Sequence, residues 1–141
     1  MKKTIASEVE MHELGIAIGE QLRGGEVIEL IGDVGAGKTT LTKGIARGMG
    51  VSEDVQSPSF TLSRVYDASQ GRQLAHYDFY RLSDPGILAD ELADVLGDSR
   101  TVTIIEWAAI VEGVLPDSRS TIRITSPSET SRTVLLEGVA V

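Results

Sequence analysis

The stretch GDVGAGKTTL, residues 32–41, constrains this chain more than any other. It follows the short apolar run Val27–Ile31 and satisfies G-x-x-x-x-G-K-[ST] from Gly32 to Thr39 without a mismatch. Glycines at these positions let successive backbone N–H groups turn inward around a phosphate, and a Cβ at Gly35 or Gly37 is expected to obstruct that approach. A helix opening near Lys38 would aim its positive dipole end at the same anion. Lys38 then brings a full charge to the β- and γ-phosphates, and the Thr39 hydroxyl is a ligand for Mg²⁺. With glycine at about 7% of residues, a chance match in so short a chain is on the order of one percent or less. A buried strand before the loop and a helix after it are the context such a loop requires.

The rest of the chain reads around that loop. Ser7 and Glu10 make a capping box ahead of Leu14, Ile18 and Leu22, which predicts a first helix reaching about Arg23. Gly24-Gly25 ends it. Lys38–Met49 is a second helix. Leu62–Tyr66 and Gln73–Phe79 are predicted strands around the turn 67–72. Ser83-Asp84-Pro85 opens a helix over Ile87–Leu96. Thr101–Ile105 is an apolar strand, and Thr121–Thr125 and Thr133–Leu136 are closing strands. Early alternation of strand and helix with later hairpins predicts a single α/β domain: a mixed parallel and antiparallel sheet with helices on both faces.

Composition narrows the function. At 141 residues the chain suits one domain with one core. Without cysteine it has neither a disulfide framework nor a thiolate metal site, and with no apolar leader after Lys2-Lys3 a cytoplasmic location is the expectation. No apolar run approaches the ~18 residues of a membrane span. A net charge of −8 with scattered basic residues argues against direct grip on nucleic acid.

Two carboxylates are candidates to complete the loop's chemistry. Glu106 stands at the C-terminal end of the strand 101–105, where ligands sit in open α/β sheets, to hold metal or polarise water. Asp78 lies among aromatics in His76-Tyr77-Asp78-Phe79-Tyr80, where an unpaired carboxylate is costly, with Arg81 as an alternative ion-pair partner. Thr61 is either a switch threonine for the γ-phosphate or an ordinary strand residue. His12 reads as exposed, His76 as a satisfied structural histidine, and Trp107 as a core residue.

GDVGAGKTT, SPSFTL, HYDFYRL and IIEW, in this order and spacing, resemble the TsaE (YjeE) family over essentially the full chain. The first motif alone fits many families; the four together are specific. The resemblance implies a P-loop ATPase of bacterial tRNA threonylcarbamoyladenosine (t6A) biosynthesis. Such a protein binds ATP and Mg²⁺ and works with TsaD and TsaB, which transfer the threonylcarbamoyl group to tRNA adenosine 37. Contact with tRNA is then indirect, and partners would order segment 57–62. Carried onto this sequence, Gly35, Ala36, Gly37, Lys38, Thr39 and Thr40 cradle the phosphates, and Thr39 with Glu106 handles the metal. Asp78 and Thr61 lie near the γ-phosphate, with Glu106, Asp78 and Lys38 as the catalytic set. Ser7 and Arg132 occupy further nucleotide-contact positions. Ser59 stands where the family usually has threonine, and Ala108-Ala109 follow Trp107 where proline or a charge is common. Two rivals remain: a small-molecule P-loop kinase, and a nucleotide-dependent binding switch with negligible turnover.

Overall fold

A computed structural model describes residues 1–33, 35–56, 63–80 and 82–141. Its core is one seven-stranded sheet: β1 (Lys2–Ile5), β2 (Val27–Ile31), β3 (Ser63–Asp67), β4 (Gln73–Asp78), β5 (Thr101–Glu106), β6 (Ser120–Thr125) and β7 (Arg132–Glu137). The spatial order is β1-β7-β6-β2-β5-β4-β3. The inner strands β6, β2, β5 and β4 run parallel, while β1–β7, β7–β6 and β4–β3 are antiparallel. The mixed α/β sheet expected from the alternation is therefore present.

Strand alternation divides two apolar layers. Ile28, Leu30, Leu74, Val102, Ile104, Ile122 and Ile124 face α1 (Glu8–Gln21) and α2 (Lys38–Gly48). Val27, Ala75, Tyr77 and Ile105 face the other way, toward α3 (Ile87–Leu96) and a 3₁₀ segment, Ala108–Val114. His76, Asp78 and Glu106 lie on the α2 side by the same alternation, in phase with Leu74, Val102 and Ile104.

Helix α1 and α2 approach unusually closely. Gly15 and Gly19 on α1 meet Gly44 and Gly48 on α2, and a Cβ at any of the four would run into backbone of the opposite helix. Four-residue spacing of glycine on both helices puts each pair on one face. This contact seats α2, and with it the glycine loop at its start.

Boundaries differ from expectation where backbone groups find other partners. Helix α1 stops at Gln21 because Leu22 turns extended, its N–H donating to the Gly19 carbonyl. Strand β4 ends at Asp78, and the Phe79 N–H donates instead to the Glu106 carbonyl at 3.1 Å. Strand β1 and the 3₁₀ segment were not expected: the first is four residues with three exposed, the second has too few turns to show a period. No helix among the described residues is long and apolar enough to cross a membrane.

Candidate functional site

The glycine loop joins β2 to α2 at the C-terminal edge of the parallel strands. Gly35 has φ +85° and Gly37 φ +111°, conformations a side chain strongly disfavours. A Cβ at Gly35 would meet no protein atom within 4 Å, so within the protein the backbone angle alone disfavours a side chain there. At Gly37 a Cβ would in addition lie 3.2 Å from Met11 Cε. Ala36 is buried, and its N–H closes the turn onto the Asp33 carbonyl at 3.0 Å. Helix α2 then begins with Gly37 as N-cap, without a side-chain cap and without an acidic residue in the first turn. The first-turn amides are thus left for an outside anion, with the helix dipole behind them.

Two cavities flank this loop. The smaller, about 330 Å³, is bordered by Ser7, Gly35, Ala36, Gly37, Thr40 and Arg132, so six sequence-selected residues from three elements converge there. Ser7 is the N-cap of α1, its Oγ accepting from Glu10 N–H at 3.1 Å; the Glu10 carboxylate reaches back to the Ala6 N–H, one residue before the cap. Arg132, first in β7, donates from Nε to the Ala36 carbonyl at 3.2 Å and from Nη1 to the Ser128 carbonyl at 3.0 Å. It braces the loop as well as bordering the cavity. The larger cavity, about 650 Å³, is walled by Lys38 itself with Glu29, Asp33, Phe79, Trp107 and Arg123 among others.

Beside the larger cavity stands a buried charged cluster. Lys38 Nζ lies 3.4 Å from Glu106 Oε1, and His76 Nε2 lies 2.5 Å from Glu106 Oε2. Burial pushes the Glu106 carboxyl upward, but the hydrogen bond and charge of His76, with Lys38 beside them, more than offset it and hold the group below the usual carboxylate range. An ionised carboxylate only accepts, so His76 donates from Nε2. Asp78 pairs in register with Glu106 across β4 and β5, is buried, and accepts the Tyr80 N–H at 2.9 Å. Thr39 and Thr40 occupy the first turn of α2, both half-buried. Thr61 and Arg81 lie outside the described residues.

Trp107 departs from the sequence reading. It is 38% exposed rather than core, and adopts a left-handed backbone (φ 55°, ψ 53°) where β5 turns into the 3₁₀ segment. That conformation costs a non-glycine residue roughly 1–2 kcal/mol and is the kind of strain that collects at functional sites. It sets the ring 4.5 Å beneath the Lys38 ammonium and against Tyr80, ring centroids 4.9 Å apart. His12 is half-buried rather than exposed. His76, read as a satisfied structural histidine, is buried with Nε2 on the candidate catalytic carboxylate and Nδ1 without a hydrogen-bond partner among the described residues. Only the H-x-D pattern beside a strand ending in glutamate could have signalled that pairing.

A parallel strand, a turn with two left-handed glycines, an uncapped helix and a lysine beside a strand-end carboxylate together define a P-loop α/β protein. The family described as "Threonylcarbamoyl adenosine biosynthesis protein TsaE" matches residues 5–134. The chain is 41% identical over 118 residues to tRNA threonylcarbamoyladenosine biosynthesis protein TsaE of Streptomyces coelicolor, covering 81% of this chain and 78% of that one. It is 37% identical to the Bacillus subtilis protein of the same name, covering 82% and 71%. The crystal structure of Bacillus subtilis YdiB superposes with a TM-score of 0.80 at 32% identity, over 99% of this chain and 86% of that one. The chain belongs to the TsaE family.

Proposed function

We propose that this chain binds ATP and hydrolyses it in support of t6A formation at tRNA position 37, acting beside TsaD and TsaB homologues rather than transferring the threonylcarbamoyl group itself. The observation that carries this reading is the Lys38–Glu106–His76 cluster set at the mouth of an uncapped, glycine-built helix start. Family membership and the names of the relatives support the pathway. A net charge of −8 suits a protein whose access to tRNA runs through partners.

In this reading the 330 Å³ cavity takes the nucleoside side, with Ser7 and Arg132 at its border, and the phosphates lie along the amides of residues 35–40. Lys38 supplies charge to the terminal phosphates, and Glu106 orients the attacking water or takes part in holding metal, with Asp78 beside it. The donor set suits Mg²⁺: a hydroxyl on Thr39 and carboxylates on Glu106 and Asp78 are hard oxygen ligands, and this ion ordinarily takes only one or two protein groups plus phosphate oxygens and water. When bound, the ion would neutralise charge on the transferring phosphoryl group.

The 650 Å³ cavity beside Lys38 is the one feature that favours the kinase alternative, since a phosphoryl acceptor would fit there. Phosphate release from Mg·ATP separates the two readings. Release stimulated by a TsaD–TsaB pair and independent of any small acceptor supports the ATPase; ATP consumption that appears only with an acceptor supports the kinase. Within the same assay, Glu106→Gln is expected to keep nucleotide affinity within about twofold while lowering turnover about 10²-fold or more. Loss of binding together with loss of the thermal transition would reassign Glu106 to structure.

A further inference from the structure

The ATPase reading leaves open what orients Glu106, and the geometry around it supplies a residue for that role. Strands β4 and β5 are parallel, with His76 opposite Ile104 and Asp78 opposite Glu106. The Glu106 side chain therefore folds back diagonally across the strand pair to reach His76. His76 is 1% exposed, and the two Glu106 oxygens have different partners. The Lys38 contact at 3.4 Å is beyond the usual N–H···O range, whereas the His76 contact is short.

The asymmetry matters because Lys38 is the group assigned to phosphate. A lysine drawn toward phosphate oxygens can no longer hold Glu106, and a glutamate has three rotatable side-chain bonds. We propose that His76 is a positioning residue that fixes the Glu106 carboxylate for water or metal while Lys38 serves the phosphates; this rests on the ATPase reading. The role needs only an Nε2–H donor on the imidazole. Its Nδ1 has no hydrogen-bond partner among the described residues. The ring is thus anchored from the Glu106 side, unlike a histidine whose two nitrogens are both tied into the surrounding structure.

The test is a kinetic cycle with the TsaD–TsaB pair present. His76→Leu keeps bulk but removes the donor; His76→Gln puts an amide N–H near the Nε2 position; each is made alone and with Glu106→Gln. His76→Leu is expected to lower kcat about 10- to 100-fold, with KM and nucleotide affinity, read from Trp107 fluorescence, within about twofold. His76→Gln should recover much of that loss. In the Glu106→Gln background His76→Leu should add nothing, because both changes remove the same function. Wild-type kcat in His76→Leu, no recovery in His76→Gln, or an undiminished further loss in the double variant each overturns the inference. If His76→Leu does not fold, His76→Gln is compared with His76→Asn, whose amide reaches only the Nδ1 position. A clear advantage for Gln supports the role, and equality overturns it. An inactive wild type would remove the ATPase reading and this inference together, whereas an active wild type matched by His76→Leu removes only the inference.

Discussion

Lys38→Ala is expected to lower partner-stimulated ATP hydrolysis by about 10²–10³-fold, and to weaken triphosphate binding more than diphosphate binding. The reason is electrostatic and local. Lys38 is 8% exposed and supplies the one ammonium group in the cluster beside the uncapped start of α2. On the proposed ATPase reading, its removal takes away a full charge from the position where charge collects on the terminal phosphates. The fold should survive. Removing one partner of a buried ion pair is usually costly, but Glu106 keeps its hydrogen bond from His76, and the larger cavity, which Lys38 lines, admits water. Calorimetry should therefore show a Tm within about 5 °C of wild type. Undiminished hydrolysis in a folded Lys38→Ala protein would remove the phosphate role of the loop.

Gly44→Ala is expected to destabilise the protein by about 3 kcal/mol or more, even though alanine is a better helix former than glycine by about 1 kcal/mol. The added Cβ would overlap the His12 carbonyl oxygen and lie 2.9 Å from Gly15 Cα and 3.1 Å from Ile16 N. All three are backbone atoms of α1, so no side chain can rotate away and the helices must part. At roughly 2–4 °C per kcal/mol for a chain of this size, Tm should fall by about 6–12 °C. Because α2 carries the loop at its N-terminus, nucleotide affinity should fall with it. Gly113→Ala is the matched control: a Cβ there meets nothing within 4 Å, and its effect should stay within about 0.5 kcal/mol. A Gly44→Ala protein as stable as wild type would mean that α1 and α2 are not held at glycine-to-glycine distance.

How much of this was legible in the sequence follows from how local each feature is. The loop was readable because its glycines, lysine and threonine act within eight consecutive residues, and the strand and helix around it are long enough to show their periods. The capping box at Ser7 was readable for the same reason. The Glu106–His76 contact was not, because it depends on the register of two strands thirty residues apart, which no local pattern sets. Trp107 misled because a lone tryptophan after an apolar strand belongs by default in a core. Its exposure comes from a left-handed backbone that residue type does not signal. The helix contact lay between these extremes. Glycines four apart, at 15 and 19 and again at 44 and 48, were visible as a spacing, but that the two pairs face each other is a matter of tertiary packing. Arg132 was selected for the nucleotide side, and only the fold reveals that it also braces the Ala36 carbonyl from the far edge of the sheet.

On the proposed ATPase reading, the amides of residues 35–40 and Lys38 receive the phosphate chain of ATP, with Glu106 held beside the terminal phosphate. A crystal structure with a non-hydrolysable ATP analogue and Mg²⁺ tests it most directly. Analogue phosphates are expected within hydrogen-bonding distance of those amides, with Lys38 Nζ turned from Glu106 to phosphate oxygens and the nucleoside beside Ser7 and Arg132. An analogue bound elsewhere, with the Lys38–Glu106 pair intact and the glycine turn bearing no anion, would contradict it.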